Sequence, residues 1–138
     1  MMNQNLLEQL KKHEGFRGAV YKCTAGANTI GYGRNLDAKP LTPSEAEYLL
    51  KNDITYFIDR LNSEDLLEGH DEVRQSVVIN MCFNLGFNGL LAFKNTLQCY
   101  RDKKYEEAAA EMLNSRWARQ VCGRAQELAA QMSTGEWE

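Results

Sequence analysis

Glu14 is the first residue of this chain whose type and placement could do acid–base chemistry. It follows Leu10 by four positions and Leu7 by seven, so on a helix its carboxyl shares their apolar face. It also falls in the last helical turn. There the negative end of the helix dipole and partial burial both disfavour the carboxylate, so the proton is retained. A carboxylic acid that keeps its proton near neutral pH is what a general acid requires. Arg17 works in the opposite direction, and a helix-end Glu paired with Arg17 is the purely structural reading of the same spacing.

Further along, Cys23 and Thr29 flank a turn, Thr24-Ala25-Gly26-Ala27, and strands paired across it bring a thiol and a hydroxyl together. Such a pair can hold a water molecule, although Thr29 alone reads as a strand-favouring residue. Asp53 falls on an apolar stripe, three residues after Leu50 and four before Phe57. A buried carboxylate needs a partner, and Arg34 is expected to supply it as a structural pair. Trp117 reads as a core or cleft-wall aromatic. Gln120 and Arg124 suit either a sugar or peptide ligand, or a solvated helix start.

The elements that must position these groups follow from the pattern. Leu6, Leu7 and Leu10 mark a first helix of about three turns that Gly15 ends. Ala19–Lys22 and Asn28–Gly33 read as a small β-hairpin, with loop from Asn35 through Pro40. Thr42-Pro43-Ser44-Glu45 predicts a helix start with a capping box, and the stripe Ala46, Leu49, Leu50, Ile54, Phe57 and Leu61 continues it. From Asp71 the pattern is helical almost to the end. Val73, Val77, Met81 and Leu85 form one stripe and Phe93, Leu97 and Tyr100 another, followed by helices over Tyr105–Leu113 and Arg124–Met132. Breaks are expected at Gly86, Gly89 and Gly123. The fold class is α+β, with the strands at one end.

Composition bounds the function. The chain has 138 residues, 43% hydrophobic and 25% charged, which is one globular domain that folds without staples. A net charge of −3 gives no electrostatic reason to bind nucleic acid or an anionic membrane. Cys23, Cys82, Cys99 and Cys122 form no Cys-x-x-Cys pair, and His13 and His70 lack zinc-ligand spacing, so neither metal nor cofactor is expected. The thiols read as reduced and partly buried. No secretory signal or membrane span is recognisable, which predicts synthesis in the cytoplasm and no stable membrane association.

Taken together, the residues resemble the phage lysozymes of glycoside hydrolase family 24, the T-even phage type and its endolysin relatives. His13-Glu14-Gly15-Phe16-Arg17, Val20-Tyr21-Lys22-Cys23-Thr24 and Thr29-Ile30-Gly31-Tyr32-Gly33 look like the family's catalytic block. Asn80–Gly86, Phe93–Thr96, Ser115-Arg116-Trp117 and Thr134–Trp137 resemble its C-terminal part. The resemblance implies a single lysozyme-like domain over 1–138. It would have a β lobe over roughly 14–40, a connecting helix over 42–61, and a helical lobe of 62–138 plus the N-terminal helix, with a cleft between the lobes.

It further implies a muramidase that cuts the β-1,4 bond between N-acetylmuramic acid and N-acetylglucosamine in bacterial peptidoglycan and so lyses the host cell. Glu14 would protonate the leaving oxygen, and a water held by Cys23 and Thr29 would attack from the other face, which is inverting chemistry. Phe83, Asn84, Gln120 and Arg124 would bind substrate, with Asn35 and Thr96 as weaker carry-overs. The enzyme would act as a monomer on the cell wall after a separate holin-type pore permeabilises the membrane.

Three features depart from the family pattern. Cys23 stands where Asp is usual, and a thiol with a pKa near ~8.5 is a poor base unless it ionises. It could position water, act as a thiolate base or serve as a nucleophile. Arg34 stands where a well-known member has His, and the loop before Leu41 is shorter in a chain that is acidic overall. Two other functions compete. One is a cysteine peptidase with Cys23 as nucleophile and His13 or His70 as base; the other is a wall-binding module that has lost the reaction. A disulfide from Cys23 to Cys82, Cys99 or Cys122 would add redox control.

Overall fold

A computed structural model describes residues 2–138. Its helices are α1 (Gln4–Glu14), α2 (Pro43–Ser63), α3 (Glu72–Leu85), α4 (Phe87–Leu91), α5 (Lys94–Arg101), α6 (Tyr105–Leu113), α7 (Arg116–Val121) and α8 (Gly123–Thr134). Between α1 and α2 lie strands β1 (Arg17–Lys22), β2 (Asn28–Gly31) and β3 (Arg34–Asn35). The chain divides into two compact units, Met1–Tyr48 and Leu49–Glu138, with the division inside α2. The α+β class expected from the pattern is the one observed.

In the first unit, Asn3 caps α1 by accepting from the Asn5 and Leu6 amides, and Gly15 ends it at φ +69°. The sheet is antiparallel in the order β1-β2-β3, with Tyr21 opposite Thr29 and Thr29 opposite Asn35. β1 is irregular between Arg17 and Tyr21, where the register shifts. Asn35, expected to open the loop, is instead the second residue of β3; two residues are too few to show alternation. The capping box is as expected: the Glu45 amide donates to Thr42 Oγ1 at 3.2 Å and the Thr42 amide to Glu45 Oε1 at 2.8 Å.

Helix α1 falls in the same unit as the sheet. Three contacts tie it there. Lys11 Nζ lies 5.8 Å from the centre of the Tyr32 ring, Phe16 just past the helix packs on the same ring at 5.5 Å, and the Glu14 carboxyl rests against Gly33.

The second unit holds the core. Leu61, Leu66, Val77, Val78, Met81, Leu90, Tyr100, Met112 and Met132 are fully buried, and Phe57 and Ile58 of α2 pack against this cluster. Helix α6 packs on α5, α7 and α8, and α3 on α4 and α8. Asp71 caps α3 through the Arg74 amide, and Gly86 closes it at φ +79°. Gly89 does not break the chain as expected. It lies inside α4, where Gly86 has already absorbed the change of direction. Among the described residues no helix is long and apolar enough to cross a membrane.

Candidate active site

Glu14 is the last residue of α1, so the expected helix-end placement holds. The expected burial does not: the residue is exposed, because the last turn projects from a helix with no buried residue. Its carboxyl lies on the backbone of the β2–β3 turn. A Cβ built at Gly33 would stand 2.6 Å from Glu14 Oε2 and 3.1 Å from its Cδ. Arg17 stacks on Tyr21, with the guanidinium 4.2 Å from the ring centre.

Cys23 opens the hairpin turn. Its amide donates to the Ala27 carbonyl at 3.0 Å, and the Gly26 amide donates to the Cys23 carbonyl at 2.8 Å. The turn's amides also reach the thiol. The N–H groups of Ala27 and Ala25 hold its pKa below the ordinary thiol value; the Thr29 hydroxyl and the Gly26 amide add to this, and desolvation opposes it. Thr29, on the central strand, is 3% exposed and donates from Oγ1 to the Ala27 carbonyl at 3.0 Å. The sheet therefore brings Cys23 and Thr29 together, as the sequence spacing suggested.

Arg34 forms an ion pair, with a partner other than Asp53. Its Nη2 donates to Glu45 Oε2 at 2.6 Å. The premise for Asp53 also fails: that carboxylate is exposed, so water satisfies it. Glu45 is the available partner because the capping box already aims its carboxylate at the start of α2. The Thr42 amide, ahead of Arg34 and Lys39, holds the Glu45 pKa below the usual carboxylate range. Asn35 spends its Oδ1 on its own loop, accepting from the Asp37 and Ala38 amides at 3.0 Å each.

In the second unit, Phe83 and Arg124 line one groove of about 590 Å³ with Leu50, Ile79, Asn80 and Trp137. Arg124 donates through Nη2 and Nε to Asn80 Oδ1 at 2.7 and 3.1 Å. Phe83 is exposed, and its ring meets Phe57 edge-on at 6.0 Å. Asn84 accepts from Trp117 Nε1 at 2.7 Å, which satisfies the one polar atom of a nearly buried indole. Gln120 is exposed on α7, whereas Thr96 is 4% exposed.

Both histidines are placed. His13 is exposed near the end of α1, and His70 Nδ1 lies 2.7 Å from Tyr105 Oη with its ring stacked on Tyr100. All four cysteines are free thiols. Burial pushes the Cys82 thiol up, so it favours the neutral form. Among the described residues no three His, Cys, Asp or Glu side chains gather in a way that could hold a metal ion.

A helix-end carboxyl set on a small antiparallel sheet, followed by a mostly helical unit, is the α+β organisation of a lysozyme-like glycosidase. Residues 11–133 match the Phage lysozyme family. The chain is 31% identical to Probable T4-type lysozyme 1 of Dictyostelium discoideum, over 97% of this chain and 96% of that protein. It is 27% identical to the Endolysin of Acyrthosiphon pisum secondary endosymbiont phage 1, over 80% of this chain and 75% of that protein. Peptidoglycan hydrolase gp36 of Pseudomonas phage phiKMV is 26% identical over 94% of this chain and 15% of its own length. The chain belongs to the phage lysozyme family, and its activity is that of a glycoside hydrolase acting on peptidoglycan.

Neither Gly33 nor Glu45 stood out in the sequence as part of the site. The Thr42-x-x-Glu45 pattern was visible, but not its second duty toward Arg34. Gly33 read as part of a hairpin and of the block that resembles the family's catalytic one, with nothing to show its contact with Glu14.

Proposed function

We propose that this enzyme is an inverting muramidase of the endolysin type, cutting between N-acetylmuramic acid and N-acetylglucosamine. Glu14 donates its proton to the leaving glycosidic oxygen. A water held between the Cys23 sulfur and the Thr29 hydroxyl attacks the anomeric carbon from the opposite face and passes a proton to the thiolate, and solvent then restores both groups. The observation that carries this reading is the Cys23–Thr29 pair. The turn amides favour the thiolate, so more of the sulfur is already ionised near neutral pH and has a vacant site for the water's proton. Phe83, Asn84, Gln120 and Arg124 bind the glycan strand. The lytic step follows opening of the membrane by a separate pore-forming protein, and the enzyme works as a monomer.

The test is reducing-end release from purified peptidoglycan by wild type, Glu14→Gln and Cys23→Ser. Glu14→Gln is expected to bind the wall and release none. Loss in Cys23→Ser as well assigns the thiol to proton transfer; activity retained there reduces it to positioning water. Reducing ends absent from the wild-type digest, with new amines in their place, would replace this reading with peptidase chemistry.

A further inference from the structure

Gly33 lies on the β2–β3 turn at φ +78°, and the Glu14 carboxyl occupies the space its side chain would fill. An added Cβ would stand 2.6 Å from Oε2, 3.1 Å from Cδ and 3.4 Å from Cγ, so three atoms of the acid rest on one bare α-carbon. The residues on either side of Gly33 are tied to other elements. Tyr32, directly before Gly33, meets Lys11 at 5.8 Å and Phe16 at 5.5 Å. Arg34, directly after Gly33, is tied to Glu45 at 2.6 Å. These contacts oppose retreat of the backbone under the carboxyl, whereas the carboxyl is the far end of a flexible side chain. A methyl group at 33 would therefore be accommodated by displacement of the acid.

We propose that Gly33 is a positioning residue for the reaction: the absence of its side chain creates the seat that aims the Glu14 carboxyl. This rests on the assignment of Glu14 as the general acid. An acid held by backbone contact on one flank has fewer orientations to sample, and misplacing a reacting group by about 1 Å costs on the order of a hundredfold in rate.

Gly31 supplies the control. It ends β2, two residues earlier, at φ +70°, so alanine there also carries left-handed backbone strain, yet a Cβ at 31 meets nothing within 4 Å. The experiment compares Gly33→Ala, Gly31→Ala and Glu14→Gln with wild type on soluble glycan strands, with thermal melts for each. The expected result is a similar loss of stability in the two alanine variants. In Gly33→Ala alone, kcat falls by about tenfold to a hundredfold with KM changed less than about twofold. Equal kcat for the two alanine variants would overturn the proposal.

A second measurement needs no variant at position 33. The amide and α-proton shifts of Gly33 are expected to differ between wild type and Glu14→Gln, with those of Gly31 unchanged. Gly33 shifts identical in the two proteins overturn the seat itself. Full activity in Glu14→Gln overturns the assignment of the acid instead, and the two failures are read separately.

Discussion

At the scale of single residues, the unusual group is a thiol in a nest of amides. Cys23 precedes a four-residue turn whose N–H groups lower the pKa of its thiol, because such donors stabilise the charged form. The sign is fixed by that chemistry: a pKa below the ordinary ~8.5 means more thiolate at any given pH below the crossover. Alkylation of Cys23 by iodoacetamide, followed against pH by mass spectrometry, is therefore expected to reach its half-maximal rate below about pH 8.5. In Thr29→Val, which removes one contributor and keeps the volume, the midpoint should move upward. A midpoint at or above the ordinary value would mean that the turn amides do not face the sulfur in solution. Glu14 is a contrasting case. Its environment is an exposed helix end against a bare α-carbon, so geometry, rather than burial, is what distinguishes it from the other carboxylates.

At the scale of elements, the start of α2 carries two tasks with one side chain. Glu45 accepts from the Thr42 amide and also from Arg34, joining the helix start to β3. Thr42 returns the other half of the box by accepting the Glu45 amide at 3.2 Å. Replacing Thr42 by Ala removes that acceptor, and loss of a Ser or Thr cap costs about 1 kcal/mol. Glu45 is then held less firmly, so the Arg34 tie should weaken too. A urea melt is expected to show a lowered midpoint with unchanged slope, and Thr42→Ser should recover most of it. No change in Thr42→Ala would show the box to be unpopulated. The Arg34 partner also answers why the sequence misled at Asp53. A helical stripe is assigned from spacing alone, but Asp53 proved exposed, whereas Glu45 was already oriented by its own cap.

At the scale of the whole molecule, the segment between α2 and α3 is tied into the helical unit by polar groups. Tyr100 Oη donates to the Leu66 carbonyl at 2.6 Å, and Gln75 Nε2 donates to the carbonyls of Leu67 and His70 at 2.7 and 3.0 Å. Arg74 reaches the end of α8, donating to Met132 and Ser133 carbonyls at 2.6 and 2.8 Å. His70 lies within this network. Burial pushes its pKa below the ordinary value, Lys103 and Arg74 push the same way, and Asp71 opposes them. The folded state thus binds the proton less readily than the unfolded chain. Stability from this group is complete above about pH 6.5 and declines as pH falls through the folded pKa. Melting temperature is expected to fall between about pH 7.5 and about pH 5 more steeply in wild type than in His70→Gln. Parallel curves would remove His70 as a source of acid sensitivity.

Several features were legible in the chain because they are local. The helix over 4–14 follows from leucine spacing and a glycine stop, and the start of α2 from a capping box four residues long, interactions within one or two turns. Glu14, Cys23 and Thr29 were singled out in the sequence because their spacing within one block resembles the family's catalytic block. Tertiary structure alone decided the partners. Arg34 pairs with Glu45, Asn84 is taken up by Trp117, the turn amides reach Cys23, and Gly33 lies beneath Glu14. The reason is physical. Periodicity reports which face of an element is apolar, but hydrogen bonds and steric seats act over about 3 Å between groups whose separation along the chain leaves no periodic trace.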